Sequence, residues 1–276
     1  MSKSLQDKLV SAIYEEDNLD MVKSLVKKGA DINYIDDEGN TPLLWASTHE
    51  EDNLDIVKFL VEKGADINLA DEEGNTPLCS AARLGNSKIV KFLLEKGANV
   101  NQIDEYNETA LTMMCTSCGD GDFVSIVKLL LEYGADINHI TKYNKTALIN
   151  ECEEGGNVDV VKLLLEKGAD INHKDEDGDT PLLHACQEEH LEIVKLLLEK
   201  GADIHYNNGR NALDIAIRKE NKELVKILTL HEMKYKEIIK KTSIDSIRIY
   251  NILINTIGEK AIVEDIINMK NELKFL

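Results

Sequence analysis

Apolar residues along most of the chain recur at helical spacing, in pairs of short segments separated by polar turns. In one such pair, Leu78, Ala81 and Ala82 lie on one face of the first segment. The second segment, residues 87–96, carries a single apolar stripe made of Ile89, Val90, Leu93 and Leu94. A period of three to four residues predicts an α-helix, so each pair predicts two helices joined by a turn. The pattern continues from about residue 5 to residue 230 and favours an all-α fold.

The ends of these helices are marked by residues with known preferences. Thr76 suits the N-cap of a first helix, and Pro77 fits the first helical turn. Gly97 is expected to end the second helix, because glycine readily adopts a positive φ. The opening Thr or Asn returns in six places: Thr41, Thr76, Thr109, Thr146, Thr180 and Asn211.

One phrase, Gly-Ala-Asp-Ile-Asn, follows the second helices. It stands unchanged at 29–33, 64–68, 134–138 and 168–172, and with one or two substitutions at 97–101 and 201–205. The spacing of 33–37 residues indicates an array of stacked supersecondary units. Such arrays usually work through their surface, so the sequence favours binding over catalysis.

The residues that open and link the repeats resemble the ankyrin repeat family. Thr-Pro-Leu-x-x-Ala and the linking turn Asp-x-x-Gly-x-Thr each occur three times, at 41–46, 76–81 and 180–185, and at 36–41, 71–76 and 175–180. The resemblance implies an all-α ankyrin-repeat solenoid over residues 1–230, built of helix-turn-helix units with β-turn linkers. It implies about seven units with caps, and residues 1–34 would form an N-terminal capping half-repeat.

The repeat period ends at residue 231. Residues 233–241, 244–257 and 261–273 are predicted to be helices with one apolar face on the last repeat. Because the terminal units of an array need a polar outer face, we interpret residues 231–276 as a helical C-terminal cap. A small partner-docking module is the alternative.

Three repeats carry extra residues between their helices, near 48–53, 115–122 and 152–157. Insertions in repeat arrays map to loops on one face, which is often a binding face, although neutral drift in a tolerant loop explains them equally well. Glu151 stands where the pattern expects a small packed residue. Either the insertion shifts the register there, or the helix rotates to expose the carboxylate.

The formal net charge is −19, and it is concentrated in the repeats. Residues 231–276 hold 8 Lys and Arg against 7 Asp and Glu, so the first 230 residues carry −20. This charge repels nucleic acid and an anionic membrane surface, and it favours a protein partner with a basic surface. The alternative is that the acidic side chains only keep the surface soluble.

The sequence gives no sign of export or membrane insertion. No apolar run approaches the length of about 20 residues that spans a bilayer, and the N-terminus lacks the apolar core of a signal peptide. The five cysteines form no disulfide framework. We therefore expect a cytoplasmic, reducing location and a chain that is monomeric on its own.

The candidate chemical groups favour structural roles. Cys115 and Cys118 form the only C-x-x-C pair, which lacks two further ligands for a zinc site. Cys115, Cys152 and Cys186 recur at a position that usually takes a small buried residue, and His184 is expected to be a buried or half-buried histidine with its polar groups satisfied. We find no phosphate-binding loop and no nucleophile motif, so no catalytic residue, metal or cofactor is predicted.

In the ankyrin family, the linking turns and the exposed side of the first helices line a concave groove. The family register places the turn residues best suited to a partner on two neighbouring turns: Ile103, Tyr106, Ile140, Lys142 and Tyr143. Exposed Ile and Tyr side by side are typical of an interface, although packing between adjacent turns is the alternative. Trp45, the only tryptophan, and Arg83, at the end of a first helix, are further candidates.

These observations predict a non-enzymatic protein-binding module: a scaffold, adaptor or competitive inhibitor that holds its partner in the groove of the central repeats. The alternative is a regulator that blocks a partner enzyme, as an inhibitor or a host-directed effector does. A separate activity of residues 231–276 is not expected, because such a segment is too short for an ordinary catalytic domain.

Overall fold

A computed structural model describes residues 4–15, 18–48, 53–116, 122–204 and 211–239, with side chains up to residue 232 in the last range. The chain forms two compact units, Met1–Asp170 and Ile171–Leu276. Both are built from helices, and the described ranges contain no β-strand. The predicted all-α class is therefore confirmed.

The helices follow one another in pairs. The first unit contains α1 Leu5–Tyr14, α2 Leu19–Lys27, α3 Pro42–Ser47, α4 Leu54–Glu62, α5 Pro77–Arg83, α6 Ser87–Glu95, α7 Ala110–Met114, α8 Phe123–Glu132, α9 Ala147–Asn150, a π-helix Glu151–Gly155, and α10 Val158–Glu166. The second unit contains α11 Pro181–Gln187, α12 Leu191–Glu199, α13 Ala212–Arg218 and α14 Lys222–Ile239. In the first unit, α1, α3, α5, α7 and α9 pack in succession, each on the next. The helices α2, α4, α6, α8 and α10 form a second layer that packs in the same order.

Threonine fixes the start of most first helices. At α5 the Thr76 hydroxyl accepts the backbone N–H of Cys79 at 3.2 Å, and Pro77 occupies the first turn, where its missing N–H is not needed. The same cap forms at Thr41, Thr109, Thr146 and Thr180. The helix starts predicted from these residues are confirmed.

The second helices bury an apolar stripe and end at glycine. In α6 the buried residues are those of the predicted stripe, Ile89, Val90, Leu93 and Leu94. Gly97, just beyond the helix, has a φ of 89°, a left-handed conformation that glycine adopts without steric strain. Asn107 and Asn144, which replace glycine in the linking turns, also have positive φ values of 59° and 57°, which asparagine tolerates better than most residues.

The last residue of the recurring phrase ties neighbouring repeats together. The Asn101 side chain accepts the backbone N–H of Asp136 at 2.9 Å and donates to the carbonyl oxygen of Gly134 at 3.0 Å. Both partners belong to the same phrase one repeat later. We call these contacts asparagine rungs; they are formed by Asn33, Asn68, Asn101 and Asn138 in the first unit and by Asn172 in the second. They give the recurrence of the phrase a structural reason.

A π-helix absorbs the insertion that follows α9. Its wider turn takes one residue more than an α-helical turn, and Glu151 at its start is buried, with 3% exposed. The Glu151 Oε1 atom accepts the backbone N–H of Asn157 at 2.7 Å, and the carboxyl group also hydrogen-bonds to Cys115. The interpretation in which this helix rotates to expose Glu151 is therefore wrong. The extra residue widens the helix locally instead.

Several sequence predictions fall on residues that the structure does not describe. These are residues 49–52 of the insertion near 48–53, residues 117–121 of the insertion near 115–122, including Cys118, and the predicted helices beyond residue 239. Helix α14 itself begins at Lys222 and continues to Ile239, through residue 231, where the repeat pattern of the sequence ends.

Candidate functional site

Each linking turn between residues 36 and 179 is closed by its own hydrogen bonds. In the turn of residues 104–108, the backbone N–H of Asp104 donates to the carbonyl oxygen of Glu108 at 3.1 Å. The Asp104 carboxylate accepts the N–H groups of Tyr106 and Glu108 at 2.8 and 2.7 Å. The turn of residues 141–145 is closed by an equivalent backbone bond of 2.9 Å. Bonds of this kind fix the backbone of the turn and therefore the points from which its side chains leave the chain.

Further hydrogen bonds join these two turns to each other. The Lys142 N–H donates to the carbonyl oxygen of Tyr106 at 2.9 Å, and the Asn107 side-chain amide donates to the carbonyl oxygen of Ile140 at 2.6 Å. The His139 Nε2 atom lies 2.7 Å from the carbonyl oxygen of Asn107. The two turns therefore form one platform, and His139 has a structural partner within it.

Five of the predicted partner-binding residues lie together on this platform, and we call them the tip patch: Ile103, Tyr106, Ile140, Lys142 and Tyr143. Their four large side chains are 45%, 42%, 40% and 45% exposed for Ile103, Tyr106, Ile140 and Tyr143. The Lys142 Nζ atom lies 5.6 Å from the centre of the Tyr106 ring. Packing between adjacent turns thus leaves about two-fifths of each large side chain exposed to solvent.

Carboxylates of the same turns and of the π-helix lie close to Lys145 and Glu108. Lys145, which precedes the opening threonine of α9, forms an ion pair with Glu153. Glu108 holds the equivalent position one repeat earlier, and its pKa is raised by burial and then by the charges of Asp104 and Glu154, although Lys145 lowers it. We call these five residues the acidic patch. Sequence reasoning missed it, although the position before each opening threonine could have pointed to Glu108 and Lys145.

Trp45 lies outside the tip patch and is engaged within its own repeat. Its indole N–H donates to the Asp36 carboxylate at 2.7 Å, and its ring centre lies 4.6 Å from that of Tyr14. In the second unit, His184 occupies the same position of its repeat, where its Nε2 atom lies 2.7 Å from the Asp175 carboxylate. His184 is 5% exposed, so the prediction that it is buried or half-buried is confirmed.

The remaining candidates lie apart from the tip patch. Arg83 is exposed in the last turn of α5. The four described cysteines, Cys79, Cys115, Cys152 and Cys186, are buried thiols, as predicted for the last three, and burial raises the pKa of Cys186 to about 12. Within the described ranges, no group of three His, Cys, Asp or Glu side chains is placed to hold a metal ion. None of the helices described above is both long and apolar enough to cross a bilayer.

Helix pairs joined by hydrogen-bonded turns, and tied by rungs at a regular spacing, define a helical repeat protein. The family model described as Ankyrin repeats (3 copies) matches residues 9–104, 101–175 and 152–240. The chain therefore belongs to the ankyrin repeat family, which confirms the resemblance seen in its turns and helix starts. Ankyrin repeats are in general protein–protein interaction modules, a non-enzymatic use of the fold. Among curated proteins, no match is found.

Proposed function

We propose that this protein is a non-enzymatic binding module, a scaffold, adaptor or competitive inhibitor, that holds a protein partner against the tip patch. The observation that best supports the proposal is the exposure of four large side chains, at 40–45%, on a platform fixed by hydrogen bonds. A surface of this kind is already ordered before the partner arrives, so binding loses little conformational entropy.

The two tyrosines are the expected anchors of the interface. Tyr106 and Tyr143 stand at the same position of neighbouring turns, and each offers a large ring with few rotatable bonds. Tyrosine is enriched among residues whose truncation weakens binding by about 2 kcal/mol or more. Lys142, whose ammonium group lies over the Tyr106 ring, would add a polar contact at the centre of the patch.

The acidic patch supports a partner with a basic surface. Lys145 pairs with Glu153 and interacts with Glu108. The Asp104 and Glu154 carboxylates lie close enough to Glu108 to raise its pKa, so the patch holds four carboxylates and one ammonium group. An excess of negative charge beside an apolar patch attracts basic side chains and speeds association at low ionic strength. Trp45 and Arg83 would take part only where the partner extends along the groove to α3 and α5.

A capture experiment tests this site. The intact protein, the Tyr106→Ala/Tyr143→Ala variant and a Tyr133→Ala control are used to capture partners from lysate, and the captured proteins are identified by mass spectrometry. Tyr133 is 44% exposed at the end of α8, so the control removes a comparable exposed ring outside the tip patch. Circular dichroism confirms that all three proteins are folded. We expect a partner that the intact protein and the control retain and that the double variant loses, with affinity at least about 30-fold weaker.

A partner that all three proteins retain equally would place the contact away from the tip patch and contradict the proposal. If the captured partner is an enzyme, its activity is measured in the purified complex. A stoichiometric loss of that activity would identify the module as a regulator, whereas unchanged activity would identify a scaffold or adaptor.

A further inference from the structure

A cleft of about 190 Å³ lies in the first unit, between α1 and the turn that leads to α3. Asp7, Glu15 and Asp36 contribute carboxylates to its lining, and Tyr14 and Tyr34 contribute aromatic rings. The described residues that line it include no Lys, Arg or His. The cleft thus combines aromatic walls with negative charge.

Residues next to the cleft hold two of its lining side chains, Asp36 and Tyr14, in place. The Asp36 carboxylate accepts the backbone N–H groups of Glu38 and Asn40 at 3.0 and 2.8 Å, and it accepts the indole N–H of Trp45 at 2.7 Å. The Trp45 ring in turn lies against the Tyr14 ring, with 4.6 Å between the ring centres. The half-exposed Tyr14 ring and the Asp36 carboxylate are therefore fixed relative to each other through one tryptophan.

We propose that this cleft binds one arginine or lysine side chain of the protein partner. The inference rests on the proposed function and adds to it a second contact, with a stated chemistry, near the start of the chain. A cation gains from carboxylates through charge and from tyrosine rings through their negative faces. Sites for small molecules usually enclose about 300–1,000 Å³. The smaller cleft fits one long side chain better than a whole metabolite.

Arginine is the favoured occupant of the two. Its planar guanidinium group stacks on an aromatic ring while it donates to a carboxylate, and it is more weakly hydrated than the lysine ammonium group. In this cleft the Tyr14 ring, which is 50% exposed, offers the stacking surface. The Glu15 carboxylate already accepts the Ser11 hydroxyl, and Asp36 Oδ2 accepts the Trp45 indole N–H, so each carboxylate would share its oxygens between these donors and the guanidinium group.

The only tryptophan of the chain provides a direct readout, because Trp45 gives a single indole N–H signal in a ¹H–¹⁵N spectrum. The probe is N-acetyl-argininamide, and its uncharged analogue N-acetyl-citrullinamide is titrated in parallel. We expect a saturable shift of the Trp45 indole signal with the arginine probe, with a dissociation constant on the order of 1–10 mM, and none with the citrulline analogue. An absent shift, or an equal shift with both probes, would overturn the proposal.

Matched variants test the residues that form the cleft. Tyr14→Ala/Glu15→Gln removes one ring and one charge from it, whereas Glu132→Gln/Tyr133→Ala removes the same two groups from an exposed surface at the end of α8. We expect the first variant to bind the arginine probe about fivefold more weakly and the second to bind it normally. Glu15→Gln alone leaves the Tyr14 ring in place, so it should weaken binding of the arginine probe by less than the double substitution.

Equal affinity in all of these proteins would contradict the assignment of the cleft. The titration requires no partner protein, so its failure would leave the capture experiment on the tip patch unaffected. Likewise, a failed capture experiment would leave a positive titration unaffected.

Discussion

Glu151 shows how strongly its surroundings can change the pKa of one side chain. The carboxyl group is buried inside the π-helix, and burial raises its pKa to about 7, although hydrogen bonds from Asn157 and Cys115 lower it. Because the folded-state pKa is above the ordinary value of 4.5, folding favours the protonated form. The stability that the protonated Glu151 contributes to the folded state is fully present below pH 4.5. It decreases as the pH rises toward 7 and is lost above pH 7.

We expect Glu151→Gln to remove this contribution to the pH dependence. Glutamine keeps an oxygen for the Asn157 N–H but has no charge to bury, so the variant should be more stable than the natural protein above pH 7 by about 1–3 kcal/mol. Denaturant unfolding between pH 5 and pH 8 measures the difference. The control is Glu166→Gln, which removes an exposed carboxylate from α10. A variant with the same pH profile as the natural protein would show that Glu151 is ionised without cost.

The sequence predicts the place of a residue better than its partner. The repeat register predicts that His184 is buried or half-buried, and the side chain is buried, because the register fixes which helix face each position occupies. It did not predict that Trp45 donates to Asp36 and packs on Tyr14, because those contacts depend on side-chain directions in two neighbouring elements. The cleft beside Tyr14 was missed for the same reason.

Helices and linkers differ in how far apart along the sequence the interacting residues lie. The starts of α3 and α5 and the ends of the second helices follow from local signals, Thr-Pro and Gly, and these could be predicted from the sequence alone. The π-helix could not, because one extra residue can be accommodated in a loop or in a widened turn, and packing of the neighbouring helices decides which. The asparagine rungs also join residues more than 30 positions apart.

The rungs lead to a prediction about the stability of the array. Asn101→Ala removes the two hydrogen bonds to Asp136 and Gly134, which lie in the next repeat. Because the freed groups can reach water, we expect a loss of about 1–2 kcal/mol in the free energy of unfolding. Gln102→Ala is the control, since it removes a bond to Asn99 within the same turn. A loss no larger than that of the control would show that the rung does not couple the repeats.

Charge acts on the molecule as a whole. The net charge is −19, so the folded chain repels itself at neutral pH. The ion pairs on the outer surface, such as Lys91–Glu95 and Lys128–Glu132, have nitrogen–oxygen distances of 4.0 Å and exposed side chains. Pairs of this kind contribute about 0–1 kcal/mol each to the stability of the folded protein, so their screening by salt costs little stability.

We therefore expect salt to stabilise the protein at neutral pH. Raising NaCl from about 20 to about 300 mM should raise the melting temperature by a few degrees, because it shortens the range of the self-repulsion. Near pH 5, close to the isoelectric point of about 4.8, the same salt change should have little effect. A melting temperature that falls with salt at pH 7 would show that favourable ion pairs outweigh the repulsion.

The asparagine rungs have a direction, and this matters while the protein is being made. In each rung the asparagine belongs to the earlier repeat, and the N–H that it accepts belongs to the later one, as for Asn33 and Asp66 or Asn138 and Asp170. A ribosome releases the earlier repeat first. Each new repeat therefore meets a binding group that its predecessor has already placed, and the array can grow one unit at a time in the direction of synthesis.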